Sequence, residues 1–310
     1  MKEDNIPLIT ITGPTAIGKT ALGVQVGRAC HGEIISADSR QFYRHMDIGT
    51  AKPTADELAA VPHHLIGIAE PHETVGLAQF LQLARTAITD IAGRGGIPLV
   101  VGGTGQYVKA LLQGWQVPEV APNPQLRADL EARAAANPDA LWAELINLDP
   151  DAQEFIDPRN IRRVVRALEV CLLSGRPYSE LRQRITPPYR ILHIGLTAER
   201  QWLYGRADRR VELMMEAGLL AEVTLLLEMG CGWSLPAMSG LGYSQFQPYF
   251  EGNCGLDDVV ERIKLDTHDF IRRQYTWFRP SNKGIHWFDV REEPYVASVH
   301  ELVMEFLSDD

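Results

Sequence analysis

The stretch GPTAIGKT, Gly13 to Thr20, constrains this chain more than any other part of it. It fills every defined position of the pattern G-x-x-x-x-G-K-[ST]. A β-branched run, PLITIT (Pro7–Thr12), precedes it, and KTALGVQVGRAC (Lys19–Cys30) follows with helical apolar spacing. A strand that feeds a glycine-rich turn into a helix collects backbone N–H groups and the positive helix end around an anion. Gly13, Pro14, Thr15, Ala16, Ile17 and Gly18 supply the turn, Lys19 a mobile cation, and Thr20 a hydroxyl suited to magnesium. ATP or GTP is the usual guest of such a cradle. A tight strand–helix turn with no ligand is the alternative, and the flanking strand and helix weigh against it.

Further apolar runs predict strands at EIISAD (Glu33–Asp38), IPLVVGG (Ile97–Gly103), RILHIGL (Arg190–Leu196) and GIHWFDV (Gly284–Val290). Long helical patterns lie between them, notably Thr197–Met229 and Leu256–Phe278. Strands alternating with helices predict an α/β fold, a P-loop NTPase-like parallel sheet covered on both faces. The region from Trp115 to Pro188 breaks this rhythm. It opens with PEVAPNP and continues as three helical segments, QLRADLEARAAA, DALWAELINL and NIRRVVRALEVCLLSG. The expected organisation is a core of residues 1–115 and 189–310 with a helical insertion domain at 116–188.

A chain of 310 residues that is 45% hydrophobic and 23% charged can bury a core without disulfides or metals. Its four cysteines show no C-x-x-C pair, and the first residues hold no apolar stretch of signal-peptide length, so reduced thiols and a cytoplasmic location are expected. No run is long enough to span a membrane. The net charge of −10 disfavours non-specific binding to nucleic acid or anionic lipid. From Phe155 to Arg190, however, eight arginines face three acids. Arg159, Arg162, Arg163 and Arg166 suit a phosphate backbone. The competing reading is a solvated amphipathic helix with Val164, Val165 and Leu168 turned inward.

Other positions remain open on residue type alone. Asp38 ends the second strand, where open α/β sheets bind ligands, and suits a general base or a magnesium partner, or else a turn. Thr104, in VVGGTGQY, either orients a substrate or ends a glycine-rich turn. An NTP-hydrolysing enzyme needs an acid after that strand, and Gly102, Gly103 and Thr104 stand there instead. Of Arg206, Arg209 and Arg210 in YGRADRRVELMMEAGLLAEV, an arginine near the cradle either clamps a diphosphate or pairs with Asp208 or Glu212 on the helix surface. RRQYTWFRP mixes arginine with aromatics, as base stacking or core packing would. Adjacent His63 and His64 point different ways with no third ligand, which disfavours a metal.

Taken together, GPTAIGKT, SADSRQFY, DIGTAKPT, VPHHLI, VVGGTGQYVKAL, RRVVRALEV, EAGLLAEV, MSGLGY and RRQYTWFR resemble, in order and to about Val290, the tRNA dimethylallyltransferases or isopentenyltransferases. The resemblance implies that the cradle holds dimethylallyl diphosphate, with magnesium as cofactor, and not ATP. It implies prenyl transfer to the exocyclic amine of the adenosine 3′ of the anticodon, in tRNAs reading codons that begin with U. Asp38 and Thr104 become catalytic candidates. Thr15 to Thr20 and Arg210 become diphosphate contacts, with Thr20 on magnesium. Asp38, Ser39, Arg40, Gln41, Thr104, Arg127, Arg162, Arg163, Val164, Val165 and Arg166 become tRNA contacts. A monomer that grips the anticodon stem-loop and avoids membranes is expected. Departures from the family pattern are Arg40 and Phe42 in DSRQFY, where DSMQVY is frequent, and Asp157 where a histidine is frequent. A kinase with this cradle would need the missing acid. A prenyltransferase of free adenine nucleotides would need no arginine-rich insertion. A non-catalytic RNA-binding protein would leave the cradle and Asp38 without a purpose.

Overall fold

Residues 5–118, 120–279 and 281–308 are described by the computed structural model. Six strands, β1 (Ile6–Thr12), β2 (Gly32–Ser36), β3 (His63–His64), β4 (Ile97–Gly102), β5 (Tyr189–Thr197) and β6 (His286–Asp289), form one sheet in the order β3-β2-β4-β1-β5-β6. Every neighbouring pair is parallel. The fold is the expected P-loop NTPase-like α/β sheet with helices between its strands.

The predicted strands appear with small shifts of boundary, and β3 is an addition: two residues are too short a run to show alternation. Thr197–Met229 is two helices, Arg200–Glu216 and Leu219–Glu228, because Gly218 adopts φ 98° between them. A positive φ ends an α-helix and strongly favours glycine.

The chain divides into two compact units, Met1–Leu111 with Pro188–Asp310, and Leu112–Pro187. The core of the first is the sheet itself. Ile9, Ile11, Leu99, Leu192, Ile194 and Leu196 are each at most 3% exposed, and Leu22 and Val26 of helix Lys19–Cys30 pack onto them. Burying each such side chain stabilises by about 1.5–3 kcal/mol. That packing anchors β1 and the helix on either side of the cradle. Because β4 lies between β1 and β2, the carboxyl ends of β2, β4 and β1 are neighbours. Asp38, Thr104 and the cradle follow those three ends directly.

The second unit is helical, with no strand among its described residues. Its helices Pro124–Ala136, Pro138–Leu148 and Ile161–Ser174 each begin after an asparagine. The Oδ1 atoms of Asn123, Asn137 and Asn160 accept from the N–H groups of Leu126, Ala140 and Arg163. Leu130, Leu141, Leu145, Val164, Val165 and Leu168 form its own core.

Candidate active site

The cradle closes on itself before any ligand is considered. Gly18 caps helix Lys19–Cys30 at φ 104°, and Lys19 Nζ donates to the Pro14 carbonyl at 2.7 Å. The protein around that ammonium lowers the Lys19 pKa to about 8: burial is the main cause, Asp38 partly opposes it, and Arg210 adds to it. Lys19 as a residue is only partly buried. Thr20 lies in the first turn of the helix, and its hydroxyl has no protein partner among the described residues.

Arg210 comes from helix Arg200–Glu216. Its Nη1 donates to Thr15 Oγ1 at 3.3 Å. Burial pushes its pKa down and the Asp38 charge pulls it up. The carboxylates expected as rivals are engaged elsewhere, Asp208 with His268 and Glu212 with Lys264, both at 2.8 Å. Arg209 is exposed and faces Glu212 and Glu216. Arg206 Nε donates to the Ala16 carbonyl at 3.1 Å, so a second arginine of this helix meets the cradle.

Asp38 makes the turn that its sequence allowed and leaves one carboxylate oxygen over. Oδ1 accepts from the Arg40 N–H at 3.0 Å, an aspartate turn. Oδ2 has no hydrogen-bond partner among the described residues. Thr104 Oγ1 accepts from the Ser39 N–H at 3.1 Å, and the Thr104 N–H donates to Ala37 O. Asp38, Thr104, Lys19 and Arg210 are thus gathered around the cradle mouth: one carboxylate, one hydroxyl and two cations. Such a group can hold a diphosphate and take a proton from a nucleophile beside it.

Gln41 and Arg40 face elsewhere. Gln41 is 9% exposed; it accepts from Ser36 Oγ and donates to the Thr50 and Ala51 carbonyls. The Arg40 guanidinium donates to Pro236 O at 2.7 Å and to Ser239 Oγ at 3.4 Å, fastening the MSGLGY turn. Among the described residues no cluster of three His, Cys, Asp or Glu side chains could cage a metal. His64 bonds Glu33 and His63 bonds the Val61 carbonyl.

The comparisons with known proteins settle the family. The model of the IPP transferase family matches residues 41–281, and that of the isopentenyl transferases matches residues 6–66. This chain belongs to the IPP transferase family. It is 57% identical over 275 residues to the tRNA dimethylallyltransferase of Roseiflexus sp. (strain RS-1), covering 88% of this chain and 90% of that one. It is 58% identical over 273 residues to that of Chloroflexus aurantiacus, covering 88% and 92%. Among solved structures, the tRNA isopentenylpyrophosphate transferase of Bacillus halodurans matches with TM-score 0.73 at 38% identity over 98% of each chain. A eukaryotic dimethylallyltransferase acting on tRNA matches with TM-score 0.83 at 30% identity, over 98% of this chain and 80% of that one.

In this IPP transferase the DIGTAKPT motif is held by a carboxylate that the sequence did not single out. Glu222 accepts from the N–H groups of Asp47, Ile48 and Gly49 at 2.7–3.0 Å, and from Tyr243 Oη at 2.7 Å. The Tyr243 ring lies where a side chain on Gly49 would fall. One acid therefore ties EAGLLAEV, DIGTAKPT and MSGLGY together. Glu222→Ala leaves three N–H groups and a buried phenol unpaired, and is expected to lower stability by about 3 kcal/mol. Chemical denaturation of the variant measures this.

In the helical unit, Glu169 is fully buried and accepts from Arg127 at 2.8 Å on both oxygens, from Arg166 and from the Asn123 N–H. Arg127 and Arg166 therefore build the unit. Val164 and Val165, at 1% and 3% exposure, face its core. Arg162 and Arg163 are exposed with no side-chain partner among the described residues. They are the free cations of this helix.

Proposed function

We propose that this IPP transferase moves the dimethylallyl group of dimethylallyl diphosphate onto the exocyclic amine of the adenosine 3′ of the anticodon, in tRNAs reading codons that begin with U. The observation that carries the chemistry is the gathering of Lys19 and Arg210 at the cradle with Asp38 beside them. The amine nitrogen attacks C1 of the prenyl group. The C1–O bond breaks, its electron pair leaves with diphosphate, and the amine proton passes to Asp38. Lys19, Arg210 and the loop N–H groups meet the charge growing on the leaving group. Thr104 and the free Asp38 oxygen orient the amine, whose lone pair is otherwise drawn into the ring. The Thr20 hydroxyl fits magnesium, which takes most of its ligands from water and phosphate. Bound there, the ion supplies further neutralisation of the leaving diphosphate. The target base has to leave its stack to reach such a site.

The exposed Arg162 and Arg163 suit phosphates of an anticodon arm. Arg163→Ala is expected to weaken tRNA binding and to reduce the slope of log affinity against log salt by about 1. A salt series with unchanged slope returns this helix to a purely structural role.

Nuclease mapping of the product tests the acceptor. The added five-carbon group should sit on the adenosine that follows the anticodon. A group on another nucleotide, or AMP modified as fast as tRNA, overturns the reading.

A further inference from the structure

We propose that Gln274 is a positioning residue that locks the diphosphate cradle to the turn bearing Thr104. The proposal rests on the function given above. The helix Leu256–Trp277 buries one face through Val259, Ile263, Thr267 and Ile271, and the next buried position is Gln274, at 5% exposure. Its Oε1 accepts from the Thr15 N–H at 2.8 Å, and its Nε2 donates to the Gly103 carbonyl at 3.1 Å. These partners fix the orientation of the amide, since a backbone N–H only donates and a carbonyl only accepts. Thr15 is held on its other side by Arg210, and Gly103 leads directly into Thr104, which holds Ser39 next to Asp38.

One side-chain amide therefore spans the leaving-group side and the acceptor side of the site. Leucine offers neither bond, and an ionised glutamate offers only an acceptor. The approach is close enough to dictate a neighbour. A Cβ added at Gly103 would lie 2.3 Å from Gln274 Nε2, with its next contact, the Gly13 carbonyl, at 3.4 Å. Gly103 is glycine to make room for this amide.

The test is a double-mutant cycle with substrate kinetics. Gln274→Leu should lower kcat about 10- to 100-fold, the scale set by misplacing reacting groups. It should weaken binding of inorganic diphosphate by about 10-fold, again through a displaced cradle, while KM for tRNA stays within about two-fold. Gln274→Glu, which keeps the Thr15 bond, should recover part of the loss in kcat. Gly103→Ala should be impaired alone and nearly silent when added to Gln274→Ala, because the clash is with the amide. Folded variants with wild-type kcat and diphosphate affinity overturn the proposal, as do additive effects of Gly103→Ala and Gln274→Ala. Wild-type protein that binds diphosphate but modifies no tRNA overturns the function instead, and the diphosphate affinities still decide the role of Gln274.

Discussion

Asp38→Asn is expected to lower kcat by about 10²–10⁴-fold, the usual contribution of a positioned base, while leaving diphosphate binding nearly intact. Asparagine keeps an oxygen for the Arg40 N–H, which Asp38 Oδ1 holds at 3.0 Å, so the turn and the fold survive. What disappears is the charge on the free oxygen, and with it the acceptor for the amine proton. Asp38→Ala removes the turn bond as well and should lose some stability in addition. The comparison has to be made near pH 7. Asp38 raises the pKa of Lys19, so the substitution also makes Lys19 easier to deprotonate. Single-turnover rates with saturating donor separate the two effects. A near-normal rate removes Asp38 from the chemistry.

Lys19→Met should cost the most in donor affinity. The Lys19 ammonium sits within the cradle, bonded among the described residues only to Pro14 O, at a pKa near 8. A charge-assisted bond to a leaving phosphate is worth about 1.5–3 kcal/mol, which corresponds to about 10- to 150-fold in affinity. The pKa adds a signature. In the free enzyme the ammonium is present below about pH 8 and is lost above it, so diphosphate affinity should fall as pH rises through that value. Lys19→Met should flatten this step, which calorimetric titration with inorganic diphosphate across pH can follow. Fold stability moves the other way. The unfolded lysine keeps its proton up to the ordinary lysine pKa of 10.5. Between about 8 and 10.5 the unfolded chain therefore binds more protons, and the penalty for a buried ammonium is relieved as pH rises. A pH-independent affinity in the wild-type protein contradicts this picture of Lys19.

Much of the site was legible because its parts follow strand ends. GPTAIGKT after PLITIT, Asp38 after EIIS and Thr104 after PLVVGG are local patterns, and the sheet order brings them together. The residues that brace the site were harder to read because their partners are remote in sequence: Gln274 meets Thr15 and Gly103, and Glu222 meets the loop from Asp47 to Gly49. A signal existed for two residues. Gln274 stands in the apolar register of Val259, Ile263 and Ile271, and Glu169 stands beside Leu168 on the buried face of its helix. A polar group in an apolar register is costly unless it is bonded, and both are bonded. The arginines divided for the same reason. Residue type treats Arg127, Arg162, Arg163 and Arg166 alike, whereas the buried Glu169 claims the first and the last.

The most direct test is transfer itself. Purified protein, magnesium, radiolabelled dimethylallyl diphosphate and unmodified tRNA are combined without ATP. Label in the tRNA is the predicted result. An absence of label, or labelling that appears only when ATP is added, contradicts a cradle built for a prenyl diphosphate.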